Sequence, residues 1–388
     1  MTDVAVAYTA VAEAEAAGRA LGTQILAGLN NEPPDALVLF ASSQYDYEQL
    51  LRAVTAACRP VFLVGCSSAG EFTDRAHGSG AASAFALRSS EMRFAASIGR
   101  GLRADRTAAT QGLVDSFVGR TDPTYRYRSA LILTDALAGH AEDLVERLTV
   151  LTAGSYRLFG GGAGDDARFQ HTDVFYGTEA ISDAVVALEI LSNKPVGIGV
   201  SHGWRPAGPA MRVTEAEAAQ LISLNAAPAA EVFEEHAEAK GQAFDRDDPL
   251  PFFLHNVVGV ATERGYRLRV PLAVAPDGAI ICAAEIPTGS TAHIMEATSH
   301  SAAEAAARAA TSALEQLEGH RPKAALFFDC AATRLRLGQA FGGELAALEH
   351  ALGPISFAGC NTYGQIARSD GQFSGFHNCT AVVCVFPE

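Results

Sequence analysis

The sequence is poor in the features that mark secreted, membrane-embedded and disulfide-rich proteins. Its 388 residues include seven cysteines, an odd number, and no two are spaced as a CxxC pair. A disulfide framework or a zinc ribbon is therefore not expected. The N-terminus lacks the basic region and apolar core of a signal peptide. The most apolar run, residues 184–191, is interrupted by Glu189 and falls short of the ~18 residues that a membrane-spanning helix needs.

Positive charge is also scarce. The chain has 29 Lys and Arg against 44 Asp and Glu, a formal net charge of −15. So acidic a protein repels phosphate backbones and anionic lipid, and we expect neither nucleic acid nor a membrane as a partner. Scattered unpaired thiols fit the reducing cytoplasm, which is the predicted location.

Apolar residues are abundant, at 48%, which is enough for a sizeable core and argues against disorder. The most informative feature is an internal repeat. Apolar runs at residues 36–40, 130–134 and 325–329 are each followed by an amphipathic segment, a second apolar run and a glycine-rich stretch. The first and third stretches, residues 65–71 (GCSSAGE) and 359–365 (GCNTYGQ), share the same spacing.

The repeat extends outward from each glycine stretch. An apolar run follows it, at residues 83–87, 184–188 and 381–386, and a strand with an alanine-rich helix precedes it. The preceding strands are predicted at residues 4–8, 94–98 and 292–295, and the helices that follow them at residues 11–29, 104–118 and 301–317. The pattern predicts an α/β (mixed α+β) fold of repeated strand–helix–strand–helix–strand–turn–strand units, forming mixed sheets flanked by helices.

Residues 195–285 do not follow the repeat. Helices are predicted at residues 214–224 and 229–239, and an acidic linker or lid at residues 244–251. Strands are predicted at residues 252–261, 266–274 and 279–284, with a hairpin turn at residues 276–278.

The glycine stretches are candidate ligand-binding turns, because α/β proteins bind ligands at strand ends. The candidate residues are Gly65, Cys66, Gly70, Gly161, Gly162, Gly359, Cys360 and Tyr363. The alternative is that a duplicated fold simply repeats its architectural corners. A phosphate cradle at residues 160–166 is not expected, because the stretch lacks the P-loop lysine and ends in two aspartates.

Cys66 and Cys360 occupy equivalent positions, and a nucleophilic cysteine would need a histidine base such as His377. Small buried thiols are the favoured interpretation. We therefore expect no enzymatic activity, and a cysteine-dependent hydrolase is the least favoured alternative.

Residues 38–71, 159–166, 199–206, 270–287 and 357–366 resemble the FIST sensory domain, in both its N-terminal and its C-terminal parts. The resemblance implies a FIST N-terminal domain over residues 1–205 and a FIST C-terminal domain over residues 206–388. It also implies an intracellular sensor that binds a small ligand and regulates a partner, a histidine kinase or a diguanylate cyclase or phosphodiesterase. One stand-alone branch of the family binds haem and senses nitric oxide.

A haem b group would need an apolar slot and an axial histidine. Four histidines lie in apolar surroundings, with His293 and His202 the first candidates for the iron. Trp204 could pack on a porphyrin and Arg205 could pair with a propionate. The cofactor-binding candidates are His293, His202, Trp204, Arg205, His255 and His377.

A second interpretation needs no haem. In that version the ligand is a small metabolite such as an amino acid, held by Arg205 and by main-chain groups of the turns at Gly65 and Gly359. The sequence does not decide between the two ligands, and a homodimer is compatible with either.

Overall fold

Three six-stranded sheets with one shared strand order organise the chain in the computed structural model, which describes residues 2–263, 265–368 and 375–388. The first segment alternates strands and helices before a short hairpin and a return strand. Its elements are β1 (Thr2–Thr9), α1 (Ala14–Gly28), β2 (Ala36–Ser42), α2 (Tyr47–Cys58), β3 (Phe62–Ser68), β4 (Glu71–Thr73), β5 (His77–Gly78) and β6 (Ala82–Ser89).

The second segment repeats this succession of elements. It contains β7 (Met92–Arg100), α3 (Leu102–Asp115), β8 (Tyr127–Thr134), α4 (Ala141–Leu151), β9 (Arg157–Gly162), β10 (Val174–Tyr176), β11 (Glu179–Ile181) and β12 (Ala184–Ser192), with single 3-10 turns at Val118–Arg120 and Ala136–Ala138.

The third segment is interrupted after its first strand, β13 (Gly197–Ser201), by a mostly β insertion. The insertion contains β14 (Arg205–Pro206), β15 (Met211–Glu217), β16 (Gln220–Leu224), β17 (Ala227–Pro228), α5 (Ala229–Lys240), α6 (Leu250–Phe253), β18 (Val257–Thr262), β19 (Gly265–Arg269), β20 (Pro271–Val274), β21 (Ile280–Cys282) and β22 (Thr291–Glu296).

The chain then returns to the third sheet. The remaining elements are α7 (Ser299–Glu315), β23 (Pro322–Cys330), α8 (Ala331–Leu337), a 3-10 turn (Gly338–Ala340), α9 (Phe341–Leu352), β24 (Ser356–Thr362), β25 (Gln365–Arg368), β26 (Phe376–His377) and β27 (Ala381–Pro387). None of the described helices is both long enough and apolar enough to span a bilayer.

The sheet orders are β1-β6-β2-β3-β10-β11, β7-β12-β8-β9-β25-β26 and β13-β27-β23-β24-β4-β5. In each sheet the pair β2/β3, β8/β9 or β23/β24 is parallel and the other pairs are antiparallel. The sheets are thus mixed, as predicted, and their common order is compatible with the predicted repeat. The predicted domain division at residue 205 stays a prediction.

The short hairpin of each segment pairs with the sheet of another segment. The hairpin β4–β5 joins β24, β10–β11 joins β3, and β25–β26 joins β9. This exchange links the three sheets in a closed cycle and covers the edge that each parallel pair would otherwise expose.

One apolar cluster lies between the inner faces of the three sheets. Phe40 meets Phe328 edge-on with ring centroids 5.7 Å apart, and Phe386 contacts both Phe85 and Phe159. The outer faces carry the helices. Helix α7 packs through a face of alanines, including Ala306, Ala309 and Ala313, that lets the helix lie close to its sheet.

Sequence signals explain the helix boundaries. The Asp46 carboxylate accepts a hydrogen bond from the amide of Gln49 and caps α2, and Thr298 with Ser301 forms a capping box at the start of α7. Helix α5 ends where Gly241 adopts a left-handed conformation, with φ at 64°.

A glycine recurs at the same place in each parallel pair because the neighbouring strand comes too close for a side chain. A Cβ on Gly65, Gly160 or Gly359 would lie 2.0, 2.1 or 1.9 Å from a carbonyl oxygen of the adjacent strand. The close approach of the neighbouring strand therefore accounts for the recurrent glycine.

Two predicted elements are wrong. Residues 214–224 lie in the hairpin β15–β16 rather than in a helix, and residues 252–253, the expected start of a strand, belong to α6. The predicted strand at residues 292–295 exists as β22 but belongs to the insertion sheet. Strand β13 pairs with β27 and takes the first-strand position that was expected for residues 292–295.

Candidate functional site

A cavity of about 130 Å³ lies where the carboxyl ends of two parallel strand pairs meet. The segments that follow β8 and β9 form one side, and those that follow β23 and β24 form the other. The insertion closes the cavity with α6 and β20. This is the edge of an α/β sheet at which ligands usually bind.

The lining is predominantly apolar. It includes Leu137, Leu254, Val270, Leu272 and Phe376, with Phe169 and Leu335 also exposed at the surface. An engineered apolar cavity of roughly 150 Å³ in another protein binds benzene. The volume here therefore suits a molecule of about that size.

Tyr363 forms one wall and is fixed from two sides. Its ring stacks on Phe169 with centroids 4.5 Å apart and planes inclined by 12°, and its hydroxyl donates a hydrogen bond to the Asp165 carboxylate. Asp165 also accepts from the amides of Phe169, Gln170 and His171 at 2.6–3.0 Å. Burial raises the pKa of Asp165, but the bonds from Tyr363 and these amides outweigh it and hold the pKa below its usual value.

Asn378 is a lining residue that also carries a buried polar atom without a partner among the described residues. The residue is 2% exposed, and its side-chain nitrogen donates to the carbonyl of His377. Its side-chain oxygen is buried and accepts no hydrogen bond from the described residues. A buried acceptor without a partner is costly, so a ligand with an N–H or O–H group would stabilise this position.

A buried ion pair holds the insertion against the second segment beside the cavity. Arg269, which is fully buried, donates to Glu142 at 2.6 Å and to the carbonyl of Glu285 at 2.6 Å. Arg267 binds the other oxygen of Glu142. Because Glu142 belongs to α4 and Val270 lines the cavity, this cluster fixes the spacing of two cavity walls.

Most predicted turn residues are in strands, which corrects the prediction of binding turns. Gly65 and Cys66 lie in β3, Gly161 and Gly162 in β9, and Gly359 and Cys360 in β24. The physical reason is the close strand approach described above.

The true turns lie a few residues later along the chain, around Gly70 and Gly364. Among the predicted turn residues, Tyr363 lines the cavity, and Gly161 and Gly162 pack behind it against the turn at residues 362–364. Gly70 lies against the guanidinium of Arg334 instead.

Cys66 and Cys360 face each other in the central core, both 0% exposed. Burial raises the pKa of the Cys360 thiol well above its usual value, with the Cys66 side chain as a further cause. This is the opposite of what a cysteine nucleophile requires.

The first two candidate iron ligands lie outside the cavity lining. His202 and Trp204 border a separate crevice of about 10 Å³, roughly the size of one water molecule, beneath Arg336. Burial lowers the pKa of His202 and favours its neutral form. His293 lies on β22 with its Nδ1 3.3 Å from the carbonyl oxygen of Gly208 and its ring edge-on to Tyr266.

The remaining candidates, His377, His255 and Arg205, are also not among the residues that line the cavity. His377 has Nε2 3.1 Å from the carbonyl oxygen of Ala367, and burial lowers its pKa to about 4. His255 follows α6, and its pKa is lowered by burial and by the charge of Arg336. The Arg205 side chain is 72% exposed and pairs with Glu296 at 3.1 Å.

The arrangement does not fit a haem group. The large cavity has the volume of a benzene-sized molecule rather than of a porphyrin, and its lining histidine is the exposed His140, 3.2 Å from Glu285. Within residues 2–263, 265–368 and 375–388, no three His, Cys, Asp or Glu side chains are grouped to hold a metal ion.

Sequence reasoning missed Phe169, Asn378 and Cys330, which all line the cavity. Phe169 and Asn378 lie in irregular segments without periodicity, so no sequence signal marked them. Cys330 directly follows the apolar run predicted at residues 325–329, and the strand-end rule could have identified it.

A family model of the FIST N domain matches residues 35–227, and one of the FIST C domain matches residues 229–368. A search of curated proteins finds no match.

Among solved structures, the chain is similar to Thermotoga maritima PurL complexed with AMPPCP, at 13% identity over 99% of this chain and 72% of that one, with a TM-score of 0.25. The same enzyme complexed with FGAR gives 10% identity over 99% and 72%, and a TM-score of 0.23. Scores this low carry no argument about fold or activity.

Proposed function

Because the chain belongs to the FIST family through both its N-terminal and its C-terminal domain, whose members are sensory, we propose that it is a sensor of a small, mostly apolar molecule. That molecule carries one hydrogen-bond donor and binds in the cavity between β8/β9 and β23/β24. The protein binds this ligand without transforming it. The proposal keeps a small metabolite as the ligand, but it places the ligand in this cavity instead of at Arg205 and the turns at Gly65 and Gly359.

The observation that carries the proposal is the composition of the cavity. Apolar side chains supply most of the lining, and the lining residue Asn378 has a buried side-chain oxygen without a partner among the described residues. Small-molecule sites typically combine an apolar surface with a few placed polar groups. The donor on the ligand would give Asn378 the hydrogen bond that the protein itself does not supply.

The position of the cavity also supports signalling. Its walls include Leu137 and Phe169 from the range matched by the FIST N model and Leu254 and Tyr363 from the range matched by the FIST C model. A ligand held between them stabilises one arrangement of the two domains over others. A partner that binds one arrangement more tightly then senses the ligand through this shift in population.

The test uses two aromatic probes of nearly equal size. Phenol has a donor for Asn378, whereas fluorobenzene has none. We expect phenol to raise the thermal unfolding midpoint more than fluorobenzene does, and the difference to vanish in Asn378→Leu. Ala332→Leu, which adds volume at the cavity wall, should weaken both probes, and the surface control Val61→Ala, at a position 65% exposed, should change neither.

If the native protein binds phenol no better than fluorobenzene, just as the Asn378→Leu variant is expected to, the proposed role of Asn378 is contradicted. The absence of any stabilisation by either probe, with crystals soaked in phenol showing an unchanged cavity, would overturn the proposed site.

The haem version of the function stays a prediction, together with nitric oxide as its signal and a histidine kinase or cyclic-di-GMP enzyme as its partner. Its test is the absorption spectrum of the isolated protein before and after haem is added. A Soret band that disappears in His202→Ala or His293→Ala would support it, and a spectrum of free haem alone would remove it.

A further inference from the structure

The segment that follows β9 has an unusual backbone conformation. Asp166, Ala167 and Phe169 all have positive φ, at 56°, 62° and 55°. This left-handed region suits glycine and is costly for alanine and phenylalanine, because their Cβ comes close to the following carbonyl oxygen. Within the described residues, no other stretch of four contains three non-glycine residues in this region. Such strain persists only where the surroundings enforce it, and it is typical of clamps and switches.

The strained segment, residues 166–169, is tethered at both ends. The amide of Gly164 donates to the carbonyl of Ser67 at 2.9 Å, and the amide of Ser67 donates to the carbonyl of Asp173 at 2.9 Å. Residues 168–171 between these tethers are exposed. The segment can therefore change its conformation while the chain on either side stays attached to β3.

Two side chains hold the strained segment in place. One carboxylate oxygen of Asp166 accepts from the hydroxyl of Ser42 at 2.8 Å and from the amide and hydroxyl of Ser43 at 2.8 and 2.5 Å. Phe169, 41% exposed, stacks on Tyr363, and both residues line the cavity. Since Ser42 ends β2, the segment connects the cavity to the first sheet.

The stack of Phe169 on Tyr363 is the contact that a flat ligand ring would make there. Its centroid distance of 4.5 Å and its angle of 12° are those of two parallel aromatic rings. Phe169 makes this contact from a strained backbone, whereas a ligand ring brings no such strain. The amides of Phe169, Gln170 and His171, bonded to Asp165, oppose release and keep the stacked form as the resting state.

We propose that Phe169 is an autoinhibitory plug that a planar aromatic ligand displaces from Tyr363. When the ligand ring takes its place, the strained segment relaxes and Asp166 leaves Ser42 and Ser43. Ligand binding is thereby transmitted from the cavity to the end of β2, as a shift between two conformations. This inference rests on the proposed function, to which it adds a class of ligand and the part of the chain that moves.

The first test depends on the sign of one effect. We expect Phe169→Ala to bind phenol about fivefold more tightly than the native protein in a calorimetric titration, because the competing ring is gone. Cyclohexanol has the hydroxyl but no flat face, and should gain little. The exposure of Phe169 makes a folded variant the expectation, and the unfolding midpoint verifies it. Weaker binding of phenol by Phe169→Ala would make Phe169 an ordinary wall residue and overturn the proposal.

The second test removes the strain and should have the opposite effect. Glycine adopts positive φ readily, so Ala167→Gly stabilises the stacked form and should weaken binding of phenol about fivefold. The matched control is Ala218→Gly, at a left-handed alanine (φ 49°) exposed in the turn between β15 and β16. Both variants should raise the unfolding midpoint, and Ala218→Gly should bind phenol as the native protein does. Unchanged binding in Ala167→Gly would overturn the proposal.

The third test follows the transmitted change by hydrogen exchange. Phenol should accelerate exchange of the Ser43 amide, which loses its bond to Asp166, and should slow exchange of the Ser67 amide in β3. Cyclohexanol, which fills the cavity without displacing Phe169, should slow both. Slower exchange of Ser43 with phenol would overturn the proposal.

The outcomes keep this proposal apart from the proposed function. Binding of phenol by the native protein, together with weaker binding by Phe169→Ala, would sink the plug alone. Tighter binding of both phenol and fluorobenzene by Phe169→Ala, with no preference between them in the native protein, would sink the role of Asn378 alone. Binding of neither probe by either protein would overturn both proposals.

Discussion

The turns at residues 68–71 and 362–365, here the first turn and the third turn, occupy equivalent places in two sheets of the same order, yet only the third turn borders the cavity. Ala69 in the first turn corresponds to Tyr363 in the third, and Glu71 corresponds to Gln365. In the first turn, Arg334 lies against Gly70 and donates to the carbonyl of Gly78 at 2.5 Å. In the third turn, Phe169 stacks on Tyr363, and the insertion lines the cavity beside them.

The difference shows what decides whether a repeated turn binds anything. The sheet requires the glycine and the sharp bend in both places, so the turn itself belongs to the scaffold. The side chains that face the turn come from elsewhere, and they either fill the space, as Arg334 does, or leave it. Function in such a fold depends on what packs over its repeated corners.

The largest expected effect comes from adding a single methyl group to the third turn at Gly364. Gly364 has φ at 88°, and a Cβ there would lie 2.3 Å from the ring of Phe376, a cavity residue. Gly364→Ala therefore combines backbone strain with displacement of a packed ring, and we expect it to lower the free energy of unfolding by about 3–4 kcal/mol. Chemical denaturation measures the loss.

Gly70→Ala is the matched variant in the first turn. Its φ of 141° is also unfavourable for alanine, but the contact at 2.7 Å is with the flexible end of Arg334, which can move. We expect a loss of about 1–2 kcal/mol, and no change in binding of phenol. Equal losses in the two variants would contradict the claim that Phe376 is held rigidly over the third turn.

The second prediction concerns the acid of the first turn. Burial raises the pKa of Glu71 from 4.5 to about 8, partly offset by the hydroxyl of Ser68. Because the folded-state pKa lies above the unfolded one, this group's contribution to stability is complete below pH 4.5 and is lost as the pH rises to about 8. Glu71→Gln gives the first turn the residue of the third and should remove this loss.

We expect Glu71→Gln to be about 2 kcal/mol more stable than the native protein at pH 9, with the difference shrinking toward pH 5. Denaturation midpoints at a series of pH values measure this difference. The matched change Gln365→Glu adds a buried carboxyl to the third turn, so it should make the protein progressively less stable than the native protein as the pH rises. A native protein whose stability is flat between pH 5 and pH 9 would refute the raised pKa.

Much of the scaffold could be predicted from the sequence, because local patterns determine it. The strands of the three parallel pairs and the helices α1, α3 and α7 fall close to their predicted positions. These segments carry strong apolar periodicity, and the repeat supplies each of them with two further examples. Mixed sheets flanked by helices follow from those patterns.

Non-local pairing defeated the other predictions of secondary structure. Residues 214–224 are rich in alanine and glutamate, which favours a helix, but Val213 and Leu221 are buried in the insertion core and Thr214 bonds to Ser223 across the hairpin. Tertiary packing overrides such propensities. Similarly, no local signal shows that β13, rather than β22, pairs with β27 across the insertion.

The site was predictable only in outline. Tyr363 lies in the wall of the cavity, and ligand binding at a turn stays a prediction. Part of the wall comes from segments more than a hundred residues away, such as Phe169 and Leu254. The four predicted histidines share apolar surroundings in the sequence, and apolar surroundings are equally typical of residues packed in a core. Only the three-dimensional arrangement distinguishes residues that line a cavity from residues that are packed in the core.

The smallest expected effects come from removing the hydroxyl that donates a hydrogen bond to an acidic side chain in each turn. Tyr363→Phe removes the donor to Asp165, which keeps three backbone amides, so we expect a loss of about 1 kcal/mol at pH 7. The pKa of Asp165 should rise toward its usual value, since the Tyr363 bond lowers it. A carboxyl whose pKa is lower in the folded than in the unfolded state stabilises the fold at pH values above the unfolded-state pKa, and this stabilisation is lost as the pH falls through the folded-state pKa. Because the folded-state pKa of Asp165 is higher in Tyr363→Phe, the variant should complete this loss at a higher pH than the native protein.

Ser68→Ala is the matched variant in the first turn, where the hydroxyl donates to Glu71. Glu71 is mostly protonated at pH 7 because of its raised pKa, so the bond to a neutral carboxyl is weaker and a loss of about 0.5 kcal/mol is expected. Hydrogen exchange at the amides of Phe169, Gln170 and His171 should accelerate in Tyr363→Phe and stay unchanged in Ser68→Ala. A loss in Ser68→Ala at least as large as that in Tyr363→Phe would mean that Glu71 is ionised at neutral pH, and that the two turns differ in packing but not in charge.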